Sequence, residues 1–175
     1  MPASVPEGLD QQRDLDLAGR GAHPTVRRTF LLLFGAWSLL ALANVFGQRP
    51  DTSRASAGFA SLEVQSPAQL RGGLIFQTRI TVHAHTRIAH PTLVLQHGWF
   101  EEMSVNSIVP NPASQSTDNG TVRMGFPALA AGRSSTVWIY FQVNPTNVGR
   151  RSEDVTLEGA PGERVVVRRT VTVFP

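Results

Sequence analysis

Two hydrophobic patterns divide the chain. From Phe30 to Gly47 the residues FLLLFGAWSLLALANVFG run without a charge, and Asn44 near the end is the one strongly polar member. As a helix rising about 1.5 Å per residue, this run spans roughly 27 Å, close to the thickness of a hydrocarbon core. It is apolar all round, which separates it from a surface helix with one buried stripe. The pattern predicts a transmembrane helix or uncleaved signal over residues 29–47, with Phe30, Leu33, Trp37, Leu40 and Phe46 against lipid.

After residue 60 the period changes to two, as in strands with one buried face. Leu74, Phe76, Ile80, Val82 and Ala84 share one side of a long strand, and Gln77, Arg79, Thr81, His83 and His85 the other. The alternation recurs in Val137, Ile139, Phe141 and Val143 against Trp138, Tyr140 and Gln142, and again in Val165, Val167, Val171 and Val173. Shorter strands are predicted at 62–65, 92–96, 103–108, 121–126 and 154–158, seven or eight in all. Turn chemistry separates them at 67–73, Asp118-Asn119-Gly120, Ala131-Gly132, Asn144-Pro145 and Ala160-Pro161-Gly162. Short antiparallel strands at this spacing fit an all-β, immunoglobulin-like sandwich over residues 61–175. Residues 48–60, rich in Ser, Ala and Gly, read as a flexible linker, and residues 1–28 as a disordered cytoplasmic tail.

Charge gives the apolar run a direction. Arg27 and Arg28 precede it, and Arg49 and Asp51 follow, so the positive-inside rule places the N-terminus in the cytoplasm and the sandwich outside a single-pass cytoplasmic-membrane anchor. Export with cleavage competes with this. Ala41-Leu42-Ala43 has the small-x-small form of a cleavage site, and Arg27-Arg28-Thr29-Phe30-Leu31 resembles a twin-arginine signal. The preceding region carries Glu7, Asp10, Asp14 and Asp16, long and acidic for a simple signal peptide, and a retained anchor is the reading preferred.

Composition then excludes whole classes of chemistry. The 175 residues contain no Cys, which removes disulfides, iron-sulfur clusters, cysteine-ligated zinc and a thiol nucleophile. The 16 basic residues are all Arg, opposed by 13 acids for a net charge of +3, and they form no stripe of the kind a nucleic-acid partner requires. No cofactor motif is present.

Phe126-Pro127-Ala128-Leu129-Ala130-Ala131-Gly132, followed by Ser134 to Val143, resembles the signature of bacterial surface Ig-like repeats of the CARDB type. The segment Gln142 to Arg151 and the ending Val171 to Pro175 are similar to uncharacterised single-pass membrane proteins of high-GC Gram-positive bacteria. The resemblance implies a sandwich outside a membrane and transfers no activity. A single copy of the module argues against a long adhesive stalk.

Three constellations carry candidate chemistry. His83 and His85 stand two apart on a strand, and with His97 they form a candidate copper site, imidazole being a suitable ligand. The plainer reading is a polar outer face. Trp138 and Tyr140 lie opposite the apolar positions of their strand and form a candidate surface for a partner protein or glycan. One of the three Trp, Trp99 or Trp138, is expected inside. Arg150 and Arg151 follow an Asn-Pro-Thr-Asn-Val-Gly loop and could grip an acidic partner or lipid headgroups, against the commoner reading of solvated loop charge. Asn119-Gly120-Thr121 fits a glycosylation sequon but is better explained as a hairpin turn.

Catalytic motifs are missing. Glu101-Glu102 and Glu153-Asp154 are adjacent pairs that a strand would point to opposite faces. The sequence therefore predicts a non-enzymatic, membrane-tethered Ig-like module, an accessory or scaffolding subunit of a cell-envelope complex with a membrane-protein partner. An exported copper- or glycan-binding sandwich is the alternative.

Overall fold

The computed structural model describes residues 23–43 and 48–175, with His23 described by its backbone alone. Residues 1–22 and the predicted lipid contact Phe46 lie outside the described residues. The chain divides into two units, residues 1–45 and 46–175.

The first unit contains α1, His23–Leu42. It begins six residues before the predicted span, inside the predicted tail, because Pro24 suits the first turn of a helix and Thr29 Oγ1 closes the next by donating to Thr25 O at 3.0 Å. Residues Pro24–Leu42 are long and apolar enough to cross a membrane, and none of that stretch is buried. Phe30, Leu33, Trp37 and Leu40 are all exposed.

The second unit is a β-sandwich, the class the alternating pattern predicts. Thirteen strands are present among the described residues: β1 Pro50–Ser56, β2 Ala60–Pro67, β3 Gln69–Arg71, β4 Ile75–Ala84, β5 Thr92–Leu95, β6 Met103–Val109, β7 Ser114–Asp118, β8 Thr121–Gly125, β9 Ser134–Val143, β10 Gly149–Ser152, β11 Val155–Glu158, β12 Arg164–Val167 and β13 Thr170–Phe174. One sheet has the order β1-β2-β4-β9-β6, the facing one β12-β11-β5-β8-β7, and a small third sheet has β10-β13-β3. Pairing is antiparallel except between β13 and β3.

Strand parity builds the core. On β9, Val137, Ile139, Phe141 and Val143 are buried while Trp138 and Tyr140 are only half-buried, as alternation requires. β4 buries Phe76, Thr78, Ile80, Val82 and Ala84, and Thr78 satisfies its buried hydroxyl against Ser66 Oγ at 2.8 Å. Leu74 departs from the predicted inner face: it precedes the strand and is exposed. The facing sheet contributes Leu93, Leu95, Met124, Val155 and Leu157. Trp99, in a short 3-10 turn at His97–Trp99, is the fully buried tryptophan, stacked on Phe141 with ring centres 5.4 Å apart.

The sequence expectation fails at 48–60, where β1 replaces most of the predicted linker. Seven register pairs, from Pro50↔Pro67 to Ser56↔Ser61, tie this polar strand to β2. β1 and β12 also pack against each other, closing one side of the sandwich. On the other side β6 and β7 end their sheets, β6 with a bulge between Val105 and Ser107.

Candidate partner-binding face

The outer face of the β1-β2-β4-β9-β6 sheet collects the aromatic candidates. Register sets Arg79 and Val109 on either side of Trp138, and Gln77 and Ser107 on either side of Tyr140. The Arg79 guanidinium lies 5.5 Å from the Trp138 ring centre, a cation-π contact, and its Nη2 is 3.7 Å from Glu63 Oε1. Gln77 Nε2 donates to Tyr140 Oη at 2.6 Å. Both rings are thus held by neighbours on β4 while one edge of each stays open to solvent. Ile75 (58% exposed) and Val109 (53%) extend the face with apolar surface that nothing in the fold covers. Beside Trp138 is a hollow of about 270 Å³, lined in part by Pro50, Pro67, Ile75, Gln77 and Arg79.

Arg150 and Arg151 separate. Alternation on β10 leaves Arg150 exposed, whereas the Arg151 side chain is 9% exposed and already partnered. Its Nε lies 3.4 Å from Glu101 Oε2 and its Nη2 3.7 Å from Glu102 Oε2. The two glutamates converge because residues 101–102 form a turn, with Glu102 at φ 52°, and not the strand assumed from sequence. Buried Asn147 holds that turn, its Nδ2 donating to the carbonyls of Glu101 and Glu102 at 3.3 and 3.1 Å. Arg151 is therefore an internal strut, and of the pair Arg150 alone can meet a partner.

The three candidate metal ligands do not assemble. His83 and His85 remain together, with ring centres 5.5 Å apart. His97 follows β5, with its ring packed against Gly120 of the β7–β8 turn. Among the described residues, no three His, Cys, Asp or Glu side chains are placed to share a metal ion.

A cluster that the sequence did not reveal lies below this surface. Glu153 and Arg169 are both buried, with Arg169 Nε 3.6 Å from Glu153 Oε2. Arg169 Nη2 donates to the carbonyls of Ser66 and Pro67 at 3.0 and 3.1 Å, and its guanidinium covers Trp99 at 5.5 Å. Asp154 Oδ1 accepts from the Arg169 backbone N–H at 3.0 Å. Burial pushes the Glu153 carboxyl up to about 8, against the pull of Arg169 and then Arg151. The same burial lowers Arg169, against Glu153 and Asp51. Of the adjacent acids Glu153 turns inward to Arg169, and Asp154 caps the Arg169 backbone.

No protein-family model matches the chain, and no curated protein does. Among solved structures, it is similar to a non-cellulosomal cohesin from the archaeon Archaeoglobus fulgidus (13% identity over 61% of this chain and 86% of that one, TM-score 0.39). It is also similar to CaCohA2 from Clostridium acetobutylicum (12% identity, 60% and 86%, TM-score 0.39) and to the C-terminal domain of Wzt (13% identity, 74% and 81%, TM-score 0.40).

Proposed function

We propose that this chain is a membrane-tethered, extracytoplasmic β-sandwich module that acts without catalysis as an accessory or scaffolding subunit, docking a membrane-protein partner of the cell envelope on the face around Trp138 and Tyr140. The observation that carries the reading is the placement of Trp138, Tyr140, Ile75 and Val109 together on the solvent side of one sheet. Aromatic and apolar side chains braced by polar neighbours are what protein interfaces bury. The tether supplies the second support. α1 exposes its apolar side chains all round, as a lipid-facing helix does, and Arg27 with Arg28 at its N-terminal end orients that end to the cytoplasm. A partner fixed in the same membrane meets the module at raised effective concentration, so a modest face suffices. The resemblance of residues 126–143 to CARDB-type modules, and of residues 142–151 and 171–175 to single-pass proteins of high-GC Gram-positive bacteria, agrees with a domain held outside the membrane.

Photo-crosslinking in native membranes tests the reading. A photoreactive residue at Ile75 or Val109 is expected to give one discrete adduct that disappears in Trp138→Ala, while the same residue at Thr156, on the opposite sheet, gives none. Equal adducts from both sheets, or none from Ile75 and Val109, would remove the docking face.

A further inference from the structure

We infer that His83 and His85 form a two-imidazole site for a single Cu(II) ion on the solvent face of β4, completed by water. Alternate residues on a strand stand roughly 6.6 Å apart at the backbone. These two rings lean together until their centres are 5.5 Å apart, edge against face. With metal–nitrogen bonds of about 2.0 Å, two imidazoles on one ion have centres roughly 4.5 to 6 Å apart, so the pair is spaced to share an ion once the exposed His85 ring turns a nitrogen towards it.

One of the two rings is also oriented. Ser134 Oγ lies 2.9 Å from His83 Nδ1. A ligating imidazole characteristically gives its second ring nitrogen to such a partner, which fixes the ring and directs Nε2 to the metal. Ser134 is placed by register, paired with His83 across β4 and β9. His85 is exposed at the end of the strand, so an ion enters without opening the fold.

The choice of ion follows from the donors. Imidazole nitrogens suit late first-row ions, and at a site with no enforced geometry Cu(II) binds most tightly among the divalent series. Water at the remaining positions leaves the ion exchangeable, as in acquisition or transfer. The pair lies rows away from Trp138 along the same sheet, so this inference does not rest on the docking reading and fails separately from it.

The test is Cu(II) titration of the full chain in detergent micelles at pH 7.5, using a chelator competition and electron paramagnetic resonance. One equivalent bound in the micromolar range, with imidazole nitrogen couplings, is expected. His83→Ala and His85→Ala should each weaken binding at least tenfold, Ser134→Ala by a few-fold, and His97→Ala not at all, with thermal midpoints unchanged because both ligands sit at the surface. Wild-type uptake no greater than that of the His83→Ala/His85→Ala double variant overturns the site, as does an equal loss in His97→Ala.

Discussion

Glu153 Oε2 and Arg169 Nε face each other at 3.6 Å with neither side chain reaching solvent, and neither carboxylate oxygen of Glu153 accepts a hydrogen bond. Arg169 donates to two carbonyls through Nη2 alone, while its Nε and Nη1 make no hydrogen bond, so the pair is only partly satisfied. Arg169 faces Glu153, with Asp154 accepting from its backbone N–H, while Arg151 is met by Glu101 and Glu102. Of these acids Glu153 is the one shielded from water, and burial favours its protonated form.

Stability should therefore fall as pH rises. The folded chain holds a proton on Glu153 up to about pH 8, whereas the unfolded chain releases it near 4.5. The stabilisation from that proton is complete below about pH 4.5 and is lost between there and 8, amounting to a few kcal/mol at most. Thermal unfolding from pH 5 to 9 should show a declining midpoint that levels above 8, and Glu153→Gln should flatten the profile. A wild-type midpoint that climbs over this range would contradict the assignment.

Arg169→Met should be costly. It strips the donor from the Ser66 and Pro67 carbonyls and uncovers Trp99, for a loss of about 3 to 5 kcal/mol. Combined with Glu153→Gln, the loss in urea denaturation should be smaller than the sum of the two single losses, because the residues share one network.

The two tryptophans should separate stability from binding. Trp99→Ala empties the centre of the core and should cost about 3 to 5 kcal/mol. Trp138→Ala removes a half-exposed ring and its Arg79 contact, on the order of 1 kcal/mol, while abolishing the crosslinked adduct. A loss for Trp138→Ala as large as for Trp99→Ala would mark it as a core residue.

The helix makes a localisation prediction. Full-length chain should stay in the membrane pellet after alkaline carbonate extraction, and the intact protein recovered there should still contain α1. Leu33→Arg places a charge in the middle of the apolar stretch, costing about 3 kcal/mol for insertion, and should shift chain to the soluble fraction. Soluble wild-type chain starting just after Ala43 would instead identify cleaved export.

Strands were legible where one face is buried. β4, β9 and β8 show period two because each buries alternate side chains, β5 stands out as a continuous apolar run buried on both faces, and the Asp118-Asn119-Gly120 turn appears with positive φ at Asn119 and Gly120. β1 (PDTSRAS), β7 (SQSTD) and β10 (GRRS) have no such signature. Their order comes from neighbouring backbones and not from side-chain burial, so polar sequence alone reads as linker or loop. β3, only Gln69–Arg71 with Leu70 alone buried, is too short to show a period and lies in a segment of turn residues. The aromatic face followed from parity on β9. The Glu153 pair did not, since residues 16 apart meet only once β10, β12 and β13 are arranged, and charge in a polar stretch carries no mark of its burial.

The bulge in β6 bears on self-association. A chain displaying open sheet edges at high local density is at risk of joining its neighbours strand to strand into ever-growing aggregates. Between Val105 and Ser107 the regular spacing of backbone donors and acceptors is interrupted, so an added strand cannot keep register along the whole edge. The opposite corner is capped by the contact of β1 with β12. The β1-β2-β4-β9-β6 sheet is in this sense terminated at β6 rather than merely ended, whereas β7, regularly paired with β8 and exposed along its whole length, leaves the facing sheet an edge guarded only by its short, polar sequence.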